Sequence, residues 1–147
     1  MWFRRIALGV VLLLGAVQFI PVDRSNRPVD PGKTFYTTEN VPPKVQALLD
    51  RSCTDCHTNQ TRWPWYNGIA PISWVVANDV HSARRKLNFS EWGNYSAKKR
   101  DHEKEEICDE VMEGDMPDGK YAFVHPKSKL TTEERSAICE WTGSPRQ

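Results

Sequence analysis

The sequence Cys-Thr-Asp-Cys-His at residues 53–57 places the strongest constraint on how this chain folds. Two thiols separated by two residues, Cys53 and Cys56, have the spacing needed to add to the two vinyl groups of one haem and form thioethers. The histidine that follows directly, His57, then lies beside the iron, where an imidazole is a good axial ligand. The motif therefore predicts one covalently attached haem, haem c, with His57 as the proximal ligand.

Two other interpretations of this motif remain open. A thioredoxin-like redox pair has the same cysteine spacing, but no strand–helix–strand pattern surrounds residues 53–57. A zinc site needs two further ligands, and Cys108 and Cys139 lie singly rather than as a second close pair. We favour haem attachment over both.

A bound haem also accounts for a shortage of apolar residues. Residues 1–22 contain 16 of the 57 hydrophobic residues, so the other 125 residues contain 41, or about 33%, which is low for a globular domain. Five of the six tryptophans lie in that polar remainder. A haem is a large apolar plate, and it can supply the core that the aliphatic residues do not.

The N-terminus has the layout of a secretory signal. Arg4 and Arg5 precede an apolar run from Ile6 to Ile20, and Pro21 follows. We expect residues 1–22 to form an uncleaved signal anchor, a transmembrane helix with the rest of the chain exported to the periplasmic side of a bacterial inner membrane. A cleaved signal and a buried N-terminal helix are the alternatives.

The remainder reads as a Pro-rich linker over residues 23–43 and a haem-binding domain over residues 44–147. Helical periodicity predicts a helix from Pro43 to the motif and a second from Ser73 to about Leu87. The inner stripe of the second is predicted to be Ile72, Val76, Val80, Ala83 and Leu87. A third helix is predicted over residues 97–113 ending at Gly114, followed by an irregular loop over residues 115–130 and a last helix with a capping box at Thr131 and Glu134. Alternation typical of strands is scarce. The predicted fold class is all-α with long loops.

The second axial ligand is predicted in the sequence Gly-Asp-Met-Pro at residues 114–117. The thioether of Met116 is a soft neutral ligand that binds haem iron opposite histidine. The alternative role for Met116 is a methionine that fills a gap in the core. His125 is the second candidate for the ligand, and an open position would favour ligand sensing or peroxidatic chemistry.

Aromatic and basic side chains after the motif are candidates for contacts with the haem. Four aromatic residues could belong to the ordinary core. They could also form the wall of the haem pocket and donate hydrogen bonds to the haem propionates through their indole or phenol groups. They are Trp63, Trp65, Tyr66 and Trp74. Arg62, Arg84 and Arg85 could also pair with propionates, and the sequence does not choose among them.

Cys108 and Cys139 fall on two predicted helices. Export would permit a disulfide between them, which we favour over two buried thiols.

The charges exclude one class of partner. Lys and Arg number 20 against 19 for Asp and Glu, a balance that gives no electrostatic support for nucleic-acid binding. Residues 62–100 carry a net charge of +5 and residues 101–147 a net charge of −6. This segregation indicates either ordinary solvated faces or a surface on which a partner docks.

These residues together resemble the bacterial haem-binding domain family of small exported c-type cytochromes. The resemblance spans nearly the whole chain and rests on residues 18–22, 53–57, 61–66, 69–74, 87–92 and 114–117, and on Tyr121, His125, Leu130, Glu134 and Trp141. It implies haem c and a cytochrome-c-like helical fold, but no particular partner.

We therefore expect a membrane-anchored periplasmic cytochrome with a single haem, which carries electrons between redox proteins that the sequence does not identify. A haem-based sensor, or a haem subunit of a larger respiratory complex, is the second hypothesis. A haem enzyme ranks last, because no acid–base pair stands out beside Met116.

Overall fold

The computed structural model describes residues 2–143. Met1, which begins the predicted anchor, and residues 144–147, which end the predicted haem-binding domain, lie outside the described residues. Residues 2–143 form α-helices and 3₁₀ turns joined by loops, and no strand occurs among them. This confirms the predicted all-α class. The α-helices are α1 (Trp2–Val17), α2 (Phe35–Thr38), α3 (Pro43–Ser52), α4 (Thr54–His57), α5 (Ile72–Lys86), α6 (Ala97–Glu113), α7 (Gly119–Val124) and α8 (Thr132–Thr142). Four 3₁₀ turns lie at Pro31–Lys33, Trp65–Gly68, Trp92–Asn94 and Pro126–Ser128.

Helix α1 corrects the prediction for the N-terminus. It has 16 residues and is therefore about 24 Å long, whereas the hydrocarbon core of a bilayer is about 30 Å thick. Among residues 2–143, no helix is both long enough and apolar enough to cross a membrane. This finding contradicts the predicted transmembrane anchor, and with it the predicted location at a bacterial inner membrane with a periplasmic domain.

Residues 23–43, which the sequence analysis describes as a linker, make specific contacts with the helical domain. Phe35 is fully buried and packs edge-on against Trp92, with their ring centroids 4.6 Å apart. The side-chain amide of Asn26 donates to the Thr61 carbonyl at 2.9 Å. Glu39 accepts a hydrogen bond from Nε1 of Trp92 at 2.8 Å and pairs with Lys104. These contacts seat much of the segment on the domain.

The core lies where α3, α6 and α8 meet. Leu49, Ile107 and Ile138 contribute buried side chains from the three helices. Cys108 on α6 and Cys139 on α8 form a disulfide with an S–S distance of 2.00 Å. The predicted ends of α6 and α8 are confirmed: Gly114 adopts a φ of 86°, and Thr131 and Glu134 form the capping box.

Two local features differ from the sequence-based expectation. The buried face of α5 consists of Ser73, Ala77, Val80 and Arg84, rather than the stripe that begins at Ile72. Helix α7 lies within residues 115–130, which the sequence pattern indicates as an irregular loop. Asp118 caps α7, since its side chain accepts from the backbone N–H groups of Lys120 and Tyr121.

Candidate functional site

A cavity of about 310 Å³ brings together three of the residues that the sequence predicts to hold a haem. Cys53, His57 and Met116 all line it, although Met116 lies 59 positions after His57 in the sequence. Its apolar walls consist of Leu87 and Phe89, which follow α5, and of Ile107 and Val111 on α6. The cavity is therefore an apolar space with an imidazole and a thioether in its lining.

The orientation of His57 is fixed by the backbone after α5. Its Nδ1 lies 3.0 Å from the carbonyl oxygen of Leu87, which can only accept, so Nδ1 carries the proton and Nε2 keeps its lone pair. Burial lowers the pKa of His57, although the hydrogen bond to Leu87 opposes this effect. The backbone N–H of Phe89 also donates to the His57 carbonyl at 2.8 Å. A neutral, oriented imidazole is the form that binds a metal.

The two cysteines of the motif are free thiols on either side of a helix boundary. Cys53 ends α3, and its carbonyl accepts from the N–H groups of Cys56 and His57 in α4 at 3.1 and 3.0 Å. Both thiols are half-buried, and Cys56 does not line the cavity. Burial is the main cause that raises the pKa of Cys53 to about 12 and that of Cys56 to about 11.

These thiols disfavour the two other interpretations of the motif. A redox-active pair has a lowered thiol pKa, because the thiolate is the reactive form, and here the pKa of both thiols is raised. Cys108 and Cys139 are used in the disulfide and cannot complete a zinc site. Within the described part of the chain, no group of three or more His, Cys, Asp or Glu side chains is placed to hold a metal ion.

Met116 reaches the cavity from the end of α6. Gly114 stops the helix in the left-handed conformation that favours glycine, and the N–H groups of Asp115 and Met116 then both donate to the Glu110 carbonyl, at 3.0 and 3.1 Å. Met116 also packs against the core, so its side chain contacts both regions. Met112 packs against the core as well, but it does not line the cavity.

The second candidate ligand, His125, lies elsewhere. It lines a separate polar hollow with Asp55, Arg62 and Tyr121. Its ring stacks on Tyr121 with a centroid distance of 4.3 Å, and its Nε2 lies 3.4 Å from the hydroxyl of Tyr66. The structure therefore does not bring His125 to the cavity that holds His57 and Met116.

The four aromatic residues predicted as a haem wall do not line this cavity. Trp65 is 82% exposed, and Tyr66 is half-buried against His125. Trp63 and Trp74 are also half-buried, and Nε1 of each is buried without a hydrogen-bond acceptor among residues 2–143. Each of these two indole N–H groups therefore lacks an acceptor in this range, and an unpaired buried N–H costs about 1–3 kcal/mol of stability.

The three candidate arginines have different surroundings. Arg62 pairs with Asp55 at 2.9 Å and is mostly exposed. The guanidinium of Arg84, which is buried, donates to four neutral oxygens at 2.7–3.1 Å, on Ser25, Asn26, Thr58 and Thr61. Arg85 donates to the hydroxyl of Ser82 at the surface.

A charged rim around the cavity was not identified from the sequence. It consists of Lys86, His102, Glu103, Glu106 and Glu110, of which the last four lie on one side of α6. A histidine on a highly charged helix is usually solvated, so the sequence does not predict that His102 lines the cavity. The three glutamates are spaced three and four residues apart, and Ile107 and Val111 continue a four-residue spacing from Glu103. Residues with this spacing share one face of a helix, and this is the sequence signal that places the glutamates on the cavity side.

The residues present fit a haem. The cavity supplies apolar walls, a neutral imidazole nitrogen and a thioether, with the free thiol of Cys53 beside them.

The comparison with protein families gives one match. A family model described as a haem-binding domain matches residues 12–144, which is most of the chain. No curated protein matches the chain. No solved structure matches it either, so the cytochrome-c-like arrangement of its helices stays a prediction.

Proposed function

This chain belongs to the haem-binding domain family, and we propose that it is a c-type cytochrome with a single haem that carries single electrons between redox proteins. The observation that supports this proposal most strongly is the shared cavity of His57 and Met116, with Cys53 in its lining. These are the groups needed to hold a haem at the iron and at its edge.

Each residue has a separate task in this proposal. The thiols of Cys53 and Cys56 would form the thioethers, and Nε2 of His57 would bind the iron. The Leu87 carbonyl holds the His57 ring in place and keeps it in the tautomer that binds metal. Leu87, Ile107 and their apolar neighbours exclude water from the cavity.

Electron transfer needs little more from the protein than binding and environment. When bound, the haem supplies an iron centre that accepts and releases one electron. Met116 would supply the second protein ligand to the iron, which would leave no site there for a substrate. We therefore propose a carrier rather than an enzyme, with a redox protein as the partner.

A potentiometric titration of the purified haem-loaded protein tests this proposal. We expect one reversible wave that fits a one-electron transfer, a low-spin spectrum in both oxidation states, and no spectral change when carbon monoxide is added to the reduced protein. The reason is that Met116 occupies the sixth position. A high-spin spectrum that changes at once on addition of carbon monoxide or cyanide would refute the carrier and support a haem-based sensor.

A further inference from the structure

The segment that carries Met116 is attached to the domain at two points. On its N-terminal side, the hydrogen bonds from Asp115 and Met116 to the Glu110 carbonyl join it to the end of α6. On its C-terminal side, α7 begins at Gly119, three residues after Met116, with Asp118 as its cap. The position of Met116 therefore depends on where α7 is held.

A side chain of the haem-attachment motif contacts α7 directly. The hydroxyl of Tyr121 donates to Oδ2 of Asp55 at 2.9 Å, while Nε of Arg62 donates to Oδ1 of the same carboxylate at 2.9 Å. Asp55 lies in α4, between Cys53 and Cys56 and two residues before His57. This contact, the Asp55–Tyr121 clamp, links the helix that contains His57 to the helix that follows Met116.

The clamp is the stronger of the two side-chain hydrogen bonds that join the described residues of α7 to α4 and α5. It is half-buried, and a hydrogen bond to a carboxylate is stronger than one between neutral groups. Burial raises the pKa of Tyr121 well above its usual value, so the phenol keeps the proton that it donates. The other link joins Lys120 to Asp79 on α5 at 3.3 Å, and exposed pairs of this kind contribute little.

We propose that the Asp55–Tyr121 clamp positions Met116 over the cavity and so sets how firmly Met116 stays bound to the haem iron. This inference rests on the proposed function. Because α7 starts so soon after Met116, a displacement that takes Met116 out of the cavity also moves the first turn of α7. The clamp therefore favours the ligated conformation over the released one.

Competition by imidazole measures this preference, because imidazole binds the iron only where Met116 has left it. In the full haem-loaded chain, we expect Tyr121→Phe to bind imidazole about tenfold more tightly than the wild-type protein does, as the loss of one charge-assisted hydrogen bond implies. The matched control is Lys120→Met, which removes the exposed pair from the adjacent position of α7. It should change the affinity by less than about twofold.

Substitutions at Asp55 test the same contact from its other side. Asp55→Asn keeps an oxygen that accepts from Tyr121 but removes the charge, so an intermediate affinity for imidazole is expected. Asp55→Ala also removes the pair with Arg62, so it should raise the affinity at least as much as Tyr121→Phe does. Adding Tyr121→Phe to Asp55→Ala should change nothing further, because the bond that the two residues share is already lost. Additive effects would overturn the inference.

The test separates this inference from the proposed function. A wild-type ferric protein without a methionine-to-iron charge-transfer band would refute ligation by Met116, and the clamp would then have nothing to position. A wild-type protein with that band, together with a Tyr121→Phe variant of unchanged imidazole affinity, would refute the clamp alone. A lowered thermal midpoint in Tyr121→Phe with unchanged imidazole affinity would likewise show that the contact only stabilises the fold.

Discussion

The haem-free Cys53→Ala/Cys56→Ala variant is expected to lose the cooperative thermal unfolding of the haem-loaded protein and most of its fixed tertiary structure. Sixteen buried hydrophobic residues form the core of the described chain, and three of them are alanines and two are the disulfide cysteines. Ordering the backbone costs about 1–2 kcal/mol per residue, and a core of this size offsets it poorly without the haem. The binding energy of the haem is then largely folding energy.

Circular dichroism during heating measures this effect, with near-ultraviolet signals of the tryptophans as the report on tertiary packing. The haem-loaded wild-type protein is the reference, and the single variant Cys53→Ala, which keeps one thioether, is the matched control and should retain a cooperative transition. A haem-free double variant that unfolds cooperatively near the wild-type midpoint would show that the core around Leu49 and Ile138 is sufficient by itself.

Replacement of Met116 by alanine is expected to abolish the methionine-to-iron charge-transfer band and to open the haem iron to carbon monoxide. The thioether favours the reduced iron, so its loss should also lower the reduction potential by about 100–300 mV. For comparison, the choice of axial ligands changes haem potentials over a range of roughly 0.8 V. Absorption spectroscopy and a potentiometric titration of the purified variant measure both changes.

Two substitutions serve as controls for Met116→Ala. Met112→Ala removes a methionine that packs against the core but does not line the cavity, so it should lower stability and leave the band in place. His125→Ala tests the second candidate ligand, which the structure places in another hollow, and it should also leave the band intact. A band that survives in Met116→Ala and disappears in His125→Ala would reverse the ligand assignment.

Local signals in the sequence predict the features that depend on neighbours along the chain. The stop of α6 at Gly114 and the capping box of Thr131 and Glu134 follow from a few adjacent residues. Contacts between distant residues are less predictable. Of the apolar stripe predicted on α5, only Val80 is buried. The buried face instead includes Arg84, which donates to oxygens of Ser25 and Thr61.

The same distinction applies to the candidate site. The residue types and spacing of Cys53, His57 and Met116 are typical of haem ligation, and the structure places all three around one cavity. The Leu87 carbonyl that orients His57 has no signature in the sequence, because every residue has a carbonyl. The bond from Tyr121 to Asp55 depends on α7, a six-residue helix too short to show a periodic pattern.

The anchor prediction was wrong for a related reason. Hydropathy marks an apolar run as far as Ile20, but α1 ends at Val17, and the backbone then turns. A count of apolar residues does not show where a helix stops, and the helix length decides whether a bilayer can be crossed.

Every role proposed for the cavity requires that Cys53 and Cys56 hold one haem covalently. Treatment of the purified protein with acidified organic solvent, followed by mass spectrometry of the chain and of the peptide that contains residues 53–57, tests this claim most directly. We expect the haem to stay with the protein, with a mass increase of one haem per chain located on that peptide. Haem that passes completely into the solvent, leaving the chain at the mass of its amino acids, would contradict it.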